Sequence, residues 1–361
     1  MSEVIKYKLL GKTPGELKEI AVKCGLPSYA GGQIAQWLYK KKVKTIDEMT
    51  NLSKAGREKL SEKYETGAVA YSDCRESSDG TKKYLFPVTC AFGGGLNGIE
   101  GENPGKLESG SIEAVMIPEL DRKTLCVSSQ AGCKMGCKFC MTGRQGFHGN
   151  LSAADILSQF ISVDEAADLT GTVFMGMGEP LDNYENVRRA IEVLTADWGF
   201  GWSPKRITLS SIGVLPNLKR YLDETRCHLA ISMHDAFPDE RGELMPVQKA
   251  YPLKDVISLI RQYDFTGQRR VSFEYTMFSG FNDDKRHADG IIRLLSGLEC
   301  RVNLIRFHKI PDFPYVSSPE GVMEVFRDRL NKAGITSTIR ASRGEDIFAA
   351  CGMLAGKHGD K

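Results

Sequence analysis

The chain has 361 residues, 41% hydrophobic and 26% charged, an ordinary globular composition with enough length for one large domain and a smaller one. No stretch approaches about 18 consecutive apolar residues, which excludes a transmembrane helix, and the opening MSEVIKYKLL lacks the basic-then-apolar order of a secretory signal, so a cytoplasmic protein is expected. Net charge is only +2, but residues 1–65 hold 13 Lys/Arg against 8 Asp/Glu, which points to a polyanionic partner or, equally well, to a solvated helical surface.

Residues 1–65 read as a helical unit. Thr13-Pro14-Gly15-Glu16 is a capping box with proline at the first helical position, and Gly25-Leu26-Pro27 is a stop. Leu17, Ile20, Ala21 and Cys24 share one face of this helix. A second helix over about 30–41 carries Ile34, Trp37 and Leu38 and runs into Lys40, Lys41, Lys42 and Lys44; a third spans about 53–64. Residues 66–120 form a short β extension, with strands at 83–88 and 112–117 around a Gly-rich exposed loop, Phe92 to Gly110.

From Thr124 onward β-branched runs at 124–128, 172–176, 206–210, 228–233, 271–277 and 301–307 alternate with helical stretches near 152–167, 184–195, 214–223, 253–263, 284–296 and 319–333; a last strand falls at 336–341. Such alternation predicts an α/β fold with a parallel sheet and right-handed crossovers. Six units suit a partial (β/α)6 barrel over 121–342, and a doubly wound sheet is the alternative; both place a site at the C-terminal ends of the strands. Residues 343–361 are a terminal segment able to fold back over a barrel mouth.

Ten cysteines occur in a chain expected in a reducing compartment, so metal binding or catalysis comes before disulfides. Cys24, Cys74, Cys90, Cys227 and Cys300 have no partner at ligand spacing and read as packed thiols. Cys133-Lys-Met-Gly-Cys137-Lys-Phe-Cys140 is different: three thiols within eight residues, directly after a strand, rarely arise by chance. Structural zinc takes four closed ligands, and no second pair follows at zinc spacing. Three thiolates suit a 4Fe-4S cluster with one iron left open. Met175-Gly176-Met177-Gly178-Glu179-Pro180 ends the next strand, where glycines let backbone approach a ligand. Ser210, the run Ser232-Met233-His234, and Asn303 interrupt apolar runs near strand ends; each alone reads as a satisfied core residue, together as a ligand site.

The triad, with Phe139 before its last cysteine and the glycine–glutamate turn one unit later, resembles the radical-SAM superfamily. That resemblance implies a cluster on Cys133, Cys137 and Cys140 and S-adenosylmethionine held by Gly178, Glu179, Ser210, Ser232, Met233, His234 and Asn303. Cys126, in Leu125-Cys126-Val127-Ser128-Ser129-Gln130, and Cys351, in Arg343-Gly344-Glu345-Asp346-Ile347-Phe348-Ala349-Ala350-Cys351-Gly352, narrow it further. With FMGMGEP, LMPV at 244–247 and RVNLIRF, they are similar to the adenine-C2 methyltransferases of 23S ribosomal RNA, the RlmN group, over nearly the whole chain.

This resemblance implies that one S-adenosylmethionine methylates Cys351 and that a second, cleaved on the cluster, yields a radical that takes hydrogen from the S-methyl group. The methylene radical then adds to adenine C2, and Cys126 releases the protein–RNA crosslink by forming a disulfide with Cys351. Glu113 matches the proposed proton acceptor, although a glutamate beside a strand is commonly just exposed. The resemblance further implies a folded 23S rRNA precursor, with transfer RNA as a second substrate in some members, and an external electron donor of flavodoxin type; a monomer is the default. The basic N-terminal helices, with Trp37 and Tyr39, would contact phosphates and stack on a base, or Trp37 is core. One departure is a 92–110 loop longer than the family's connection. A C8-methylating relative with the same machinery, and a non-enzymatic iron–sulfur or zinc RNA-binding module, are the competing readings.

Overall fold

The computed structural model describes residues 6–91, 107–267 and 269–355. Strands β1 (Tyr7–Lys8) and β2 (Tyr64–Glu65) pair in parallel and bracket α1 (Pro14–Lys23), α2 (Ala30–Ala35), a π-helical turn Gln36–Lys40, and α3 (Lys54–Lys63). The capping box of α1 forms: Thr13 Oγ1 accepts from Glu16 N at 3.3 Å and Glu16 Oε2 accepts from Thr13 N at 2.6 Å. The second helix is not one continuous α-helix, because its last turn widens to π spacing. Trp37 and Tyr39 are buried there, with Trp37 Nε1 donating to Asn51 and the Tyr39 hydroxyl donating to Lys12 O at 2.6 Å. Both aromatics are core, which is the alternative stated for Trp37 and corrects the stacking expectation for Tyr39; Lys40, Lys41 and Lys44 remain exposed.

The extension is an antiparallel ribbon of β3 (Asp73–Glu76), β4 (Lys82–Ala91) and β5 (Leu107–Glu119). Residues 107–110 therefore belong to a strand rather than to the expected loop; 92–106 lie outside the described residues. Strand β5 pairs antiparallel with β6 (Arg122–Cys126), which begins the parallel sheet: β9 (Gly171–Phe174), β10 (Ile207–Ser211), β11 (His228–Ser232), β12 (Val271–Met277), β13 (Arg301–Arg306) and β14 (Thr336–Ile339). Between β6 and β9 lies a small hairpin of β7 (Gln130–Gly132) and β8 (Phe147–Asn150), whose loop carries the short helix α4 (Met141–Arg144).

The ten-stranded sheet runs β14-β13-β12-β11-β10-β9-β6-β5-β4-β3. Each parallel strand is added beside its predecessor with no reversal, so a doubly wound sheet with its switch point is ruled out. The end strands β3 and β14 do not pair, so the barrel is open and partial, as expected.

The crossovers carry α5 (Ala153–Ser162), α6 (Tyr184–Thr195), α7 (Leu215–Glu224), α8 (Pro238–Leu244) with α9 (Leu253–Ile260), α10 (Lys285–Leu295) and α11 (Glu320–Lys332). Helix α5 ends at Ser162, short of the expected 167, and is buried from Ala154 to Ser162. The N-terminal unit and the start of the extension cover its other side: Lys8 Nζ lies 2.5 Å from Asp155 Oδ1 and Val69 N donates to Ser158 Oγ at 2.6 Å. No helix among the described residues is long and apolar enough to cross a membrane.

Candidate active site

A cavity opens at the C-terminal ends of the parallel strands. Its wall includes Cys133, Cys137, Cys140, Gly178, Glu179, Ser210, Ser232, His234, Glu274, Arg340 and Cys351.

The three thiols come from the β7–β8 loop. Gly132 has φ +70°, and a Cβ there would sit 2.0 Å from Gly146 O, so only glycine lets the strands close at the root of the loop. Cys133 N donates to Gly146 O at 2.8 Å, and Cys140 caps α4. Burial pushes the Cys133 thiol up to about 12, the Cys137 thiol well above its ordinary value, and the Cys140 thiol upward. Three converging thiols whose burial opposes ionisation make a donor set that a positive metal centre would stabilise as thiolates.

The turn after β9 presses on the same loop. Glu179 is buried; Oε1 accepts from Leu181 N and Oε2 from Ile212 N, both at 3.0 Å, which ties the turn to the end of β10. Burial raises its carboxyl to about 7 against the lowering effect of those N–H groups. Gly178 has φ +98°, and a Cβ would lie 2.5 Å from that of Gln130. Gly178→Ala is therefore expected to cost about 2 kcal/mol or more of stability, measured by denaturant unfolding against the parent.

His234 follows β11 at φ +54°, a left-handed conformation unusual for a side-chain-bearing residue. Its Nδ1 accepts from Thr276 N at 3.1 Å, its ring meets Phe139 edge-on at 4.8 Å, and Asn282 Nδ2 donates to its carbonyl at 2.8 Å. Burial, then Arg241, lowers its pKa to about 3, so the ring is neutral with its proton on Nε2. The fully buried Arg241 braces this turn by donating to Met233 O and Ser232 O, each at 3.0 Å.

Two residues expected at the wall stand elsewhere. Met233 is fully buried between Ser232 and His234, on the opposite side of the chain. Asn303 lies two residues below Ile305, which does line the cavity; its Nδ2 donates to Glu274 Oε1 at 2.8 Å, so it braces a wall residue. Glu274 itself escaped the sequence reading, although a charge in the apolar run Val271–Met277 was the available signal. It is buried, and its Oε2 has no hydrogen-bond partner, the nearest cation being Arg340 Nη1 at 3.7 Å. Arg340 is held protonated more firmly than usual, chiefly by Cys351, against the effect of burial.

The C-terminal segment folds back over the mouth. Met141 N donates to Gly352 O at 2.8 Å and Thr142 Oγ1 to Leu354 O at 2.7 Å. On its other side Lys83 Nζ donates to Phe348 O at 3.3 Å, and Ala355 N donates to Glu113 Oε2 at 2.7 Å. Lys83 and Glu113 form a buried ion pair at 2.9 Å, so Glu113 is neither exposed nor on the cavity wall, and together the pair grips the segment before and after Cys351. Cys351 reaches the cavity. Cys126 ends β6 behind the wall; burial first, then the neighbouring Cys351, pushes its thiol up to about 12. No disulfide occurs among the described residues. Cys227 is buried and Cys24, Cys74 and Cys300 are half-buried, while the Cys90 side chain lies outside the described part.

The radical SAM superfamily matches residues 127–289, and the ribosomal RNA large subunit methyltransferase N-terminal domain matches residues 7–66. A probable dual-specificity RNA methyltransferase RlmN of Porphyromonas gingivalis is 56% identical over 350 residues, covering 97% of this chain and 94% of that protein. The dual-specificity RNA methyltransferase RlmN of Syntrophus aciditrophicus is 39% identical over 346 residues, covering 95% and 94%. The crystal structure of a radical SAM methyltransferase from Sphaerobacter thermophilus superposes with a TM-score of 0.86 at 34% identity, covering 97% of this chain and 100% of that one. The cysteine-lined barrel mouth thus sits in a chain that belongs to the RlmN family of radical SAM RNA methyltransferases.

Proposed function

We propose that this protein methylates C2 of an adenine in 23S rRNA, and in transfer RNA as a second substrate, through a methyl group carried on Cys351 and a protein–RNA crosslink resolved by Cys126. The supporting observation is the meeting of Cys351 with the three-thiol loop at one cavity, with Cys126 immediately behind it. The cavity's residues fit the implied cofactors. Three thiols on one cavity wall suit a 4Fe-4S cluster, Gly176 and Gly178 of the glycine turn line the same wall, and the orphaned Glu274 Oε2 is an acceptor suited to the ammonium or ribose hydroxyls of S-adenosylmethionine.

When bound, these groups supply an electron, drawn from an external donor, and a carbon radical able to take hydrogen from a methyl thioether. Cys133, Cys137 and Cys140 hold the cluster. Gly178, Glu179, Ser210, Ser232, His234 and Glu274 hold S-adenosylmethionine, while Met233 and Asn303 act behind them. Cys351 accepts the methyl group and presents it to the base, with Arg340 lining the same cavity. Adenine C2 is an electron-poor carbon without a nucleophilic lone pair, so polar displacement fails there and radical addition succeeds. The adenine must be unstacked to reach the mouth. Cys126 then attacks the Cys351 sulfur: the S–S bond forms as the S–CH2 bond breaks, the bond's electron pair goes to the carbon, which takes a proton to become the methyl group, the adduct's odd electron leaves by the route on which it was supplied, and an external thiol reduces the disulfide before the next turnover. Glu113 takes the C2 proton in this scheme, and doing so requires loosening its ion pair with Lys83. Residues 1–65 contact RNA phosphates through Lys40, Lys41 and Lys44, and residues 343–361 carry the methyl-bearing cysteine.

Glu274→Gln removes the charge and keeps the shape, and is expected to weaken S-adenosylmethionine binding by roughly tenfold, read by equilibrium titration of the cluster-loaded enzyme. Nucleoside mass spectrometry of RNA treated with the enzyme tests the regiochemistry. The expected product is 2-methyladenosine; 8-methyladenosine would assign the chain to C8 chemistry.

A further inference from the structure

A second cluster of ligand-type side chains lies behind the turn that carries His234, outside the cavity. Asp235 follows β11, Glu240 is on α8 and His287 is in the first turn of α10. One ligand atom from each lies within 4.8 Å of the others. His287 Nδ1 is 2.7 Å from Asp284 Oδ1, while Nε2 is 2.6 Å from Glu240 Oε2 and 3.8 Å from Asp235 Oδ2.

A neutral imidazole has a single N–H. If Nδ1 gives it to Asp284, the bare Nε2 lone pair faces a carboxylate oxygen at 2.6 Å, which is repulsive. Something positive belongs between them, either a second ring proton or a cation. Asp235 distinguishes the two. Its side chain is fully buried; Oδ1 accepts from Phe237 N at 2.8 Å, and Oδ2 has no hydrogen-bond partner. A proton on Nε2 satisfies Glu240 and leaves Asp235 Oδ2 orphaned at 3.8 Å, whereas a cation among the three satisfies all of them.

We propose that Asp235, Glu240 and His287 bind one first-row divalent cation, of the class of Mn2+ or Zn2+. Two carboxylates and an imidazole are mixed donors suited to such ions. Bonds of about 2.0–2.2 Å require donors about 3–3.5 Å apart, so the side chains need small inward and outward adjustments only. Asp284 on Nδ1 supplies the carboxylate that orients a metal-bound histidine. Arg286 donates to Glu240 Oε1 at 2.7 Å and lies 3.8 Å over the Phe237 ring, which leaves Oε2 turned toward the cluster. Its Nη1, 3.4 Å from Nε2, is the cationic neighbour a metal must tolerate; the three carboxylates outnumber it. Arg241 is turned away onto Met233 O and Ser232 O. A cation here would fasten the strained His234 turn to α8 and α10, and so fix one wall of the cavity without touching its contents.

The test is Mn2+ titration of the cluster-loaded, oxidised enzyme without RNA or S-adenosylmethionine, followed by electron paramagnetic resonance. The oxidised cluster is silent, so loss of the free Mn2+ signal counts bound ions. The expected result is one site per chain, weakened at least tenfold in both Asp235→Asn and His287→Gln, each checked to retain its cluster iron. No stoichiometric binding by the parent enzyme overturns the proposal, as does binding left unchanged in either variant. A rise in thermal stability of Asp235→Asn with no metal dependence in the parent would instead mean that the ring proton alone holds the cluster.

Discussion

Cys351→Ala is expected to abolish both RNA methylation and the formation of S-methylcysteine in the protein, with the cluster iron unchanged. Among the described residues, it is the one cysteine on the cavity wall that lies outside the three-thiol loop. Its segment is fastened to α4 through Gly352 O and Leu354 O, and to the Lys83–Glu113 pair through Phe348 O and Ala355 N. Those contacts are backbone contacts, so alanine preserves them, and the segment is expected to dock as in the parent. The loss would then report chemistry and not folding. Peptide mass spectrometry of the protein after incubation with S-adenosylmethionine reads the methyl group directly. Full methylation of RNA by the alanine variant would remove Cys351 from the mechanism.

Cys126→Ala is expected to behave differently: it should form the bond to RNA and fail to break it. The two thiols are near enough for Cys351 to raise the pKa of Cys126, yet only Cys351 faces the cavity. Burial holds Cys126 protonated, so it neither competes for the methyl group nor reacts early. Removing it leaves the first steps intact and takes away the nucleophile that resolves the last. The variant should retain covalently attached RNA through denaturing electrophoresis, and free 2-methyladenosine should be absent. Recovery of free product from it would contradict the assignment.

The parts of this site that were legible in the sequence are those set by local chemistry. The spacing of Cys133, Cys137 and Cys140 reports a loop that must converge its thiols, whatever surrounds it. Strand–helix alternation likewise reports the parallel sheet, and only the strand order was needed to choose the open barrel over the doubly wound form. What failed depended on position across a strand. Ser232 and His234 face the cavity and Met233, between them, cannot; Asn303 sits one residue pair below the mouth. Glu274 was passed over because a lone acid in an apolar strand has no spacing signature, although a buried charge there demands a partner. Trp37 and Leu38 follow Ile34 at helical spacing, a core stripe that the neighbouring lysines obscured. The grip of Lys83 and Glu113 on the C-terminal segment joins residues more than 200 positions apart, and no local pattern encodes it.

The proposed reaction at the barrel mouth is radical chemistry on RNA. Its most direct test is anaerobic reconstitution of the cluster, followed by incubation with reductant, S-adenosylmethionine and a 23S rRNA fragment, and quantification of 5′-deoxyadenosine with methylated nucleosides. The expected result is 5′-deoxyadenosine formed in step with 2-methyladenosine and only when RNA is present. Intact cluster and bound RNA with neither product would contradict it and leave a non-catalytic iron–sulfur RNA-binding protein.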